Sequence, residues 1–232
     1  MTFHRIAIAG ATGYLGKRVL SHLLTIPSIS KITVLTRPDS SENLSISPIV
    51  SVIPIESYED QVALTKALQG HDILVSTING LASDYIDPLL ISAAIVAGIR
   101  RFMPSEYTLD VMHPHSRAVA GSTILASKIR NAKAIQTMAK NGQIEYTTIV
   151  TGGILDWWFE NGDLGVNAAQ RKATLYDGGE IKTSGSTTDF IGAYKWVPYL
   201  HSLFPKRVLT YSYALASPFT TERIYFFCPR TS

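Results

Sequence analysis

Cysteine is almost missing from this chain: Cys228 is the one residue of its type among 232. A lone thiol excludes an intramolecular disulfide and a cysteine metal cluster, and it fits a reducing compartment, so a cytoplasmic location is expected. Long apolar runs are missing too. The most apolar stretch, Pro88 to Ile99, closes at Arg100 and Arg101 after 12 residues, well short of the roughly 20 that cross a bilayer. Met1 to Gly10 has no apolar segment and small-residue cleavage site of the signal-peptide kind. Neither membrane insertion nor secretion is expected. No charge of one sign dominates, since 21 Lys and Arg stand against 18 Asp and Glu, and the basic residues are spread out, so no nucleic-acid footprint is expected. Charged residues are 17% and apolar residues 46%, too little charge for a disordered polymer and enough apolar material for a continuous core.

Several catalytic patterns are absent as well. There is no Gly-x-Ser-x-Gly nucleophile elbow, and no Tyr is followed by Lys four positions later. The histidines lack metal-ligand spacing, and His113-Pro-His115, without cysteines nearby, reads as a loop and not as a zinc site.

What is present is an alternation of short β-branched runs with helical patterns. Strands are expected at Arg5 to Ala9, Lys31 to Thr36, Val50 to Ile55, Asp72 to Ile78, Arg101 to Met103 and Tyr146 to Thr151. Helices are expected at Leu15 to Leu24, Tyr58 to Leu68, Asp84 to Ala97 and Ser122 to Lys140. The near-continuous apolar run from Ile73 to Ile78 reads as a central strand covered on both faces. The fold class is therefore α/β, a doubly wound parallel sheet with helices on both faces. From Gly152 the pattern loosens into turns at Gly152-Gly153, Asn161-Gly162-Asp163 and Asp177-Gly-Gly179. Residues 1–151 are expected to form the sheet domain and 152–232 a small substrate-side region.

Gly10-Ala-Thr-Gly13-Tyr-Leu-Gly16 follows the first strand and opens the first helix, the context a dinucleotide fingerprint requires. Gly10 would allow the tight turn, Gly13 the approach of a pyrophosphate to the helix N-terminus, and Gly16 close packing of helix on strand. With Thr12, Tyr14 and Leu15 these are candidate cofactor-binding residues; the bland alternative is an ordinary strand-to-helix turn. Where an NAD enzyme usually carries an acid at the end of the second strand, this chain has Thr36-Arg37-Pro38. Arg37 can hold a 2′-phosphate through two charge-assisted hydrogen bonds, which points to NADP; the competing reading is a solvated surface arginine. Asn79 and Gly80 fall at the carboxyl edge of the sheet and are further cofactor candidates.

Lys128 lies on the last of these helices, about 140° of rotation away from Lys133. Ile124, Leu125, Ile135 and Met138 surround that helix with apolar positions. Burial disfavours a charged amine, which would suit a lysine there to handle protons near neutral pH. Helical spacing alone favours an exposed lysine.

The glycine turn, Thr36-Arg37-Pro38, Arg101-Phe-Met-Pro-Ser-Glu-Tyr107, the Lys128 helix, Thr151-Gly-Gly-Ile-Leu-Asp-Trp157 and Ala173-Thr-Leu-Tyr-Asp-Gly-Gly179 together resemble the isoflavone reductase-like, NmrA-like family of atypical short-chain dehydrogenases, fungal members included. The resemblance runs from about Phe3 to Tyr211. It implies a Rossmann-type fold, NADPH as cofactor, and Lys128 beside the nicotinamide assisting proton transfer. Ser105, Gly152, Gly153 and Trp157 would border the substrate, although a Trp pair at 157 and 158 also reads as core packing. The implied function is reduction of a small aromatic or polyketide-like metabolite. Two rivals remain open: a redox-neutral cyclase, isomerase or lyase using Lys128 as acid and base, and a non-catalytic NADP sensor, against which the presence of Lys128 argues. Family members continue past the position matching Tyr211, whereas Ser212 to Ser232 is unmatched. The expected pocket is therefore shortened, more open, or completed by a partner subunit such as the second half of a homodimer. An open pocket excludes water poorly, which favours the redox-neutral rival.

Overall fold

The computed structural model describes residues 3–43, 47–114, 116, 123–162, 166–167, 170–174, 178, 184–194, 207–210 and 213–214. Cys228, Ser122, His115, the Asp177-Gly-Gly turn apart from Gly178, and the tail 212–232 apart from 213–214 lie outside the described residues.

The main layer is a seven-stranded sheet. Its strands are β1 (Arg5–Ala9), β2 (Lys31–Thr36), β3 (Val50–Pro54), β4 (Ile73–Ser76), β5 (Arg101–Met103), β6 (Glu145–Val150) and β11 (Arg207–Thr210), in the order β11-β6-β5-β4-β1-β2-β3. Every pairing in it is parallel. The doubly wound sheet expected from the sequence is thus present, with β4 between β1 and β5 as its run of apolar residues requires.

Alternation along the strands sends side chains into two cores, one on each face. Ile6, Ile8, Ile32, Val34, Ile73 and Val75 meet Leu15, Val19, Leu20 and Leu23 of α1 (Tyr14–Leu23). On the opposite face, Ala7, Leu35, Leu74 and Phe102 meet α2 (Gln61–Leu68), α3 (Gly80–Val96) and α4 (Thr123–Lys140) through Leu64, Leu68, Leu90, Ala94 and Ile135. Phe102 is fully buried, and burial of such a side chain stabilises by about 1.5–3 kcal/mol.

Several boundaries differ from the sequence reading by a residue or more, β4 for instance ending at Ser76 and not Ile78, and three of the differences have a side-chain hydrogen bond as their reason. α2 starts at Gln61 and not Tyr58, because Asp60 Oδ1 accepts the Ala63 N–H at 2.9 Å. α3 starts at Gly80 and not Asp84, because Asn79 Oδ1 accepts the Leu81 N–H at 3.1 Å. Asp72 stands before β4 instead of in it, since its carboxylate receives the N–H groups of His4 and Arg5, each at 2.9 Å. Asp60 and Asn79 thus satisfy helix donors that would otherwise be orphaned.

Beyond β6 the chain forms β7 (Gly153–Ile154), α5 (Leu155–Asn161), β8 (Val166–Asn167), β9 (Lys172–Ala173), β10 (Ser184–Ser186), α6 (Thr188–Tyr194) and β12 (Tyr213–Ala214). A small sheet runs β12-β10-β7, and β8 pairs with β9. Two later elements return to the main layer. β11 extends the large sheet beside β6, and α6 packs on α1, with the His22 ring 3.3 Å from Asp189.

Candidate active site

Strand β1 delivers the chain to the edge of the sheet at Gly10, whose φ of +83° belongs to the left-handed region. A side chain there would also place its Cβ 2.7 Å from the Thr77 carbonyl oxygen. Gly16, two residues into α1, lies so close to the turn that a Cβ would sit 2.0 Å from the Gly10 oxygen. Helix and strand therefore meet backbone to backbone. Gly13 caps α1 with no side-chain hydrogen bond, and the first turn holds no acid. The opening N–H groups of a helix have no partner within it, and they carry the positive end of its dipole. This end is left for an anion, above a turn whose close backbone contacts a Cβ at Gly10 or Gly16 would force apart, which fits a bound pyrophosphate.

Three clefts follow one another along the carboxyl edge of the sheet. The first, about 260 Å³, lies between Gly10, Thr12 and Gly13 on one side and Arg37, Ser40 and Tyr58 on the other. The second, about 480 Å³, is walled by Gly13, Tyr14, Leu15, Asn79, Gly80, Ser105, Lys128 and Trp157. The third, about 280 Å³, has Gly152, Gly153, Trp157, Trp158 and Ser184. Gly13, Thr77 and Asn79 border both the first and the second, while Tyr107, Thr108 and Trp157 border both the second and the third. Every residue singled out from the sequence borders this trench except Gly16, whose place is in the packing beneath it.

Arg37 is largely exposed, and its Nε stands 3.8 Å from Asp39. A pair so open to solvent contributes little, so the guanidinium stays available to the first cleft. Tyr58 opposite is raised above its ordinary value, by burial first and against the pull of Arg37.

Lys128 is only 7% exposed, so the exposed lysine favoured by helical spacing is not what the packing produces. Its Nζ donates to the Ser105 carbonyl. The Ser105 hydroxyl donates to the Ile78 carbonyl at 2.7 Å, so that proton is already committed within the protein. Next along the chain, Glu106 is buried, and burial pushes its carboxyl up to about 7, with Asp87 adding to the rise and the Lys128 charge opposing it. Tyr107 donates to the Ser76 carbonyl at 2.7 Å and is pushed well above its ordinary value by burial, then by Asp87 and Glu106. Trp157 is 40% exposed, standing edge-on to Tyr14 with ring centroids 5.1 Å apart. It is cleft wall, not core. Asp156 beside it accepts the Thr188 N–H at 3.0 Å and the Thr188 hydroxyl, fastening α5 to the start of α6.

Sequence reasoning missed Thr77, Ile78, Ser40, Tyr58, Tyr107, Thr108, Ile154 and Ser184. Thr77 and Ile78 follow directly on β4, so the rule that ligands gather at strand carboxyl ends could have found them. Ser40, Tyr58 and Ser184 reach the trench through tertiary packing and carry no local signal. Among the described residues no group of three His, Cys, Asp or Glu could hold a metal ion, and no helix is long and apolar enough to cross a membrane.

The model of the NmrA-like family matches residues 2–164. The chain belongs to the NmrA-like family. Among curated relatives of this NmrA-like protein, the oxidoreductase aprR of Aspergillus flavus is 27% identical over 188 residues, covering 81% of this chain and 61% of that one. The isoflavone reductase homolog A622 of Nicotiana glauca is 29% identical over 191 residues, covering 77% of this chain and 58% of that one. The chain thus spans about three-fifths of the length of these relatives. Among solved structures, AtPrR2 with NADP+ and (+)-pinoresinol superposes with a TM-score of 0.73 at 21% identity, over 90% of this chain and 70% of that chain. At that identity the likeness speaks for the Rossmann-type fold.

Proposed function

We propose that this NmrA-like protein is an NADPH-dependent reductase of a small aromatic metabolite, with Lys128 assisting proton transfer. The observation that carries this reading is the continuity of the trench, from Arg37 past the open end of α1 to a buried lysine and then to the Trp157 wall. The oxidoreductase and reductase names of its relatives support it.

Gly10, Thr12 and Gly13 would hold the pyrophosphate, and Arg37 with Ser40 the 2′-phosphate. Asn79, Gly80 and Ser105 would wall the nicotinamide, and Gly152, Gly153 and Trp157 the substrate. Bound NADPH supplies a hydride. The work left to the protein is to orient the substrate against Trp157 and to give a proton to the substrate atom that gains electron density. On this reading the Lys128 amine would do so; its hydrogen bond to the Ser105 carbonyl and its burial support the role.

Calorimetric titration with NADPH and with NADH, followed by a panel of aromatic ketones, enones and benzylic ethers while the reduced-nicotinamide absorbance is followed, tests the reading. Tight NADPH binding with substrate-dependent oxidation is expected. Binding with turnover but no oxidation would establish the redox-neutral rival, and binding without any turnover the sensor. Absence of binding would leave the glycine turn as architecture alone.

A further inference from the structure

A carbonyl that holds a lysine is only as fixed as the peptide that carries it. The Ser105 carbonyl lies beyond the end of β5, outside the ladder of the sheet, in the peptide joining Ser105 to Glu106, whose N–H donates to the Pro104 carbonyl at 2.9 Å. One peptide earlier, the N–H of Ser105 itself donates to Asp87 Oδ2 at 2.9 Å, and the other carboxyl oxygen of Asp87 receives the Ser76 hydroxyl at 2.6 Å. Asp87 is 3% exposed. A carboxyl at that depth has lost its hydration and depends on such donors. Through it, α3 ties the last residue of β4 to the turn after β5.

The same helix fastens the lysine from the other side. Pro88 lacks the N–H that would bond to the Asp84 carbonyl, and Asn131 Nδ2 reaches across from α4 to that carbonyl at 3.4 Å and to the Ser83 carbonyl at 3.4 Å. Arg130 adds an ion pair to the Asp84 carboxylate at 3.1 Å. Asn131 lies three residues after Lys128, so the two share a helix face. The helix bearing the amine and the residue bearing its acceptor are therefore both anchored on α3.

We propose that Asp87 is the positioning residue for Lys128: by gripping the Ser105 N–H and the Ser76 hydroxyl together, its carboxyl fixes the carbonyl that holds the amine at the cleft wall. The functional value of this grip rests on the reading of Lys128 as the proton-handling residue. Asp87→Leu keeps the volume and removes both acceptors, so the Ser105 N–H and the Ser76 hydroxyl both lose this partner, whereas asparagine could keep both by donating to the Ser76 oxygen.

The test is competitive labelling of the folded full chain with acetic anhydride, read lysine by lysine by peptide mass spectrometry, with exposed Lys133 and Lys140 as internal standards. In Asp87→Leu, the Lys128 rate relative to those two is expected to rise about tenfold, and a rise below about threefold overturns the proposal. Acceleration of all three lysines together, the mark of general loosening, also overturns it. Where Asp87→Leu does not fold, Asp87→Ala removes the same two acceptors without added bulk, with the same threshold and the same meaning. No cofactor or substrate enters this assay. Failure of the wild-type chain to bind NADPH would remove the proposed reductase and leave the labelling result intact.

Discussion

Replacing Glu106 with glutamine should make the protein's stability less sensitive to pH, in a direction that burial dictates. Glu106 is 4% exposed and faces a small void it shares with Asp110, Gln136 and Tyr146. Its carboxyl rises from 4.5 to about 7, chiefly through burial, with Asp87 raising it further and Lys128 pulling it back. Below 4.5 the folded and unfolded chains both hold the proton. Between 4.5 and about 7 the folded chain keeps a proton that the unfolded chain releases, so stability falls as pH rises. Above about 7 both are ionised and the loss is complete. At about 1.4 kcal/mol per pH unit, the interval from 4.5 to about 7 amounts to about 3 kcal/mol. Glutamine does not titrate, so any packing cost of the substitution is the same at every pH. Urea unfolding of both proteins from pH 4.5 to 8.5 should show Glu106→Gln gaining about 3 kcal/mol on the wild type between pH 5 and pH 8, or about 6–12 °C in Tm for a chain of this size. A difference in stability that stays constant across that range would refute the reasoning.

Arg37→Ala should weaken NADPH binding by about 1.5–3 kcal/mol, and NADH binding far less, because only the former carries the 2′-phosphate; equal weakening by calorimetry would remove that role from Arg37. Gly10→Ala must take a left-handed φ, at a cost of at least about 1–2 kcal/mol, and must also press its Cβ on the Thr77 carbonyl. Thermal denaturation should show a lowered Tm and calorimetry a loss of dinucleotide affinity, and an unchanged Tm would count against the backbone account. Lys128→Ala should abolish turnover while dinucleotide affinity stays within a few-fold; retained turnover would remove the catalytic assignment.

The first half of the site was legible because its physics is local. Gly10, Gly13 and Gly16 are required by one turn and one helix start, and seven consecutive residues announce them. Arg37 was legible for the same reason, since it closes a strand whose apolar run is plain. The burial of Lys128 was not legible. It follows from α4 packing on α3, and that contact depends on a proline gap filled by Asn131, which no periodicity in α4 records. Asp87 reads in sequence as one more helix acid; only the fold brings Ser76 and Ser105 to it from two strands. The return of α6 to α1 joins residues 167 positions apart, a separation at which local propensity carries no information.

The placement of Trp157 has a practical side. Its indole stands at the boundary between the second and third clefts, partly exposed and edge-on to Tyr14. Tryptophan emits where a reduced nicotinamide absorbs, so the chain carries its own fluorescent gauge of that boundary. Energy transfer would quench the emission when a dinucleotide settles on one side, and stacking would shift it when an aromatic compound arrives on the other. Comparison with a Trp157→Phe variant isolates this indole's signal from that of the remaining tryptophans. Ligands of unknown identity can then be sorted by which side of the wall they occupy, before any product is seen.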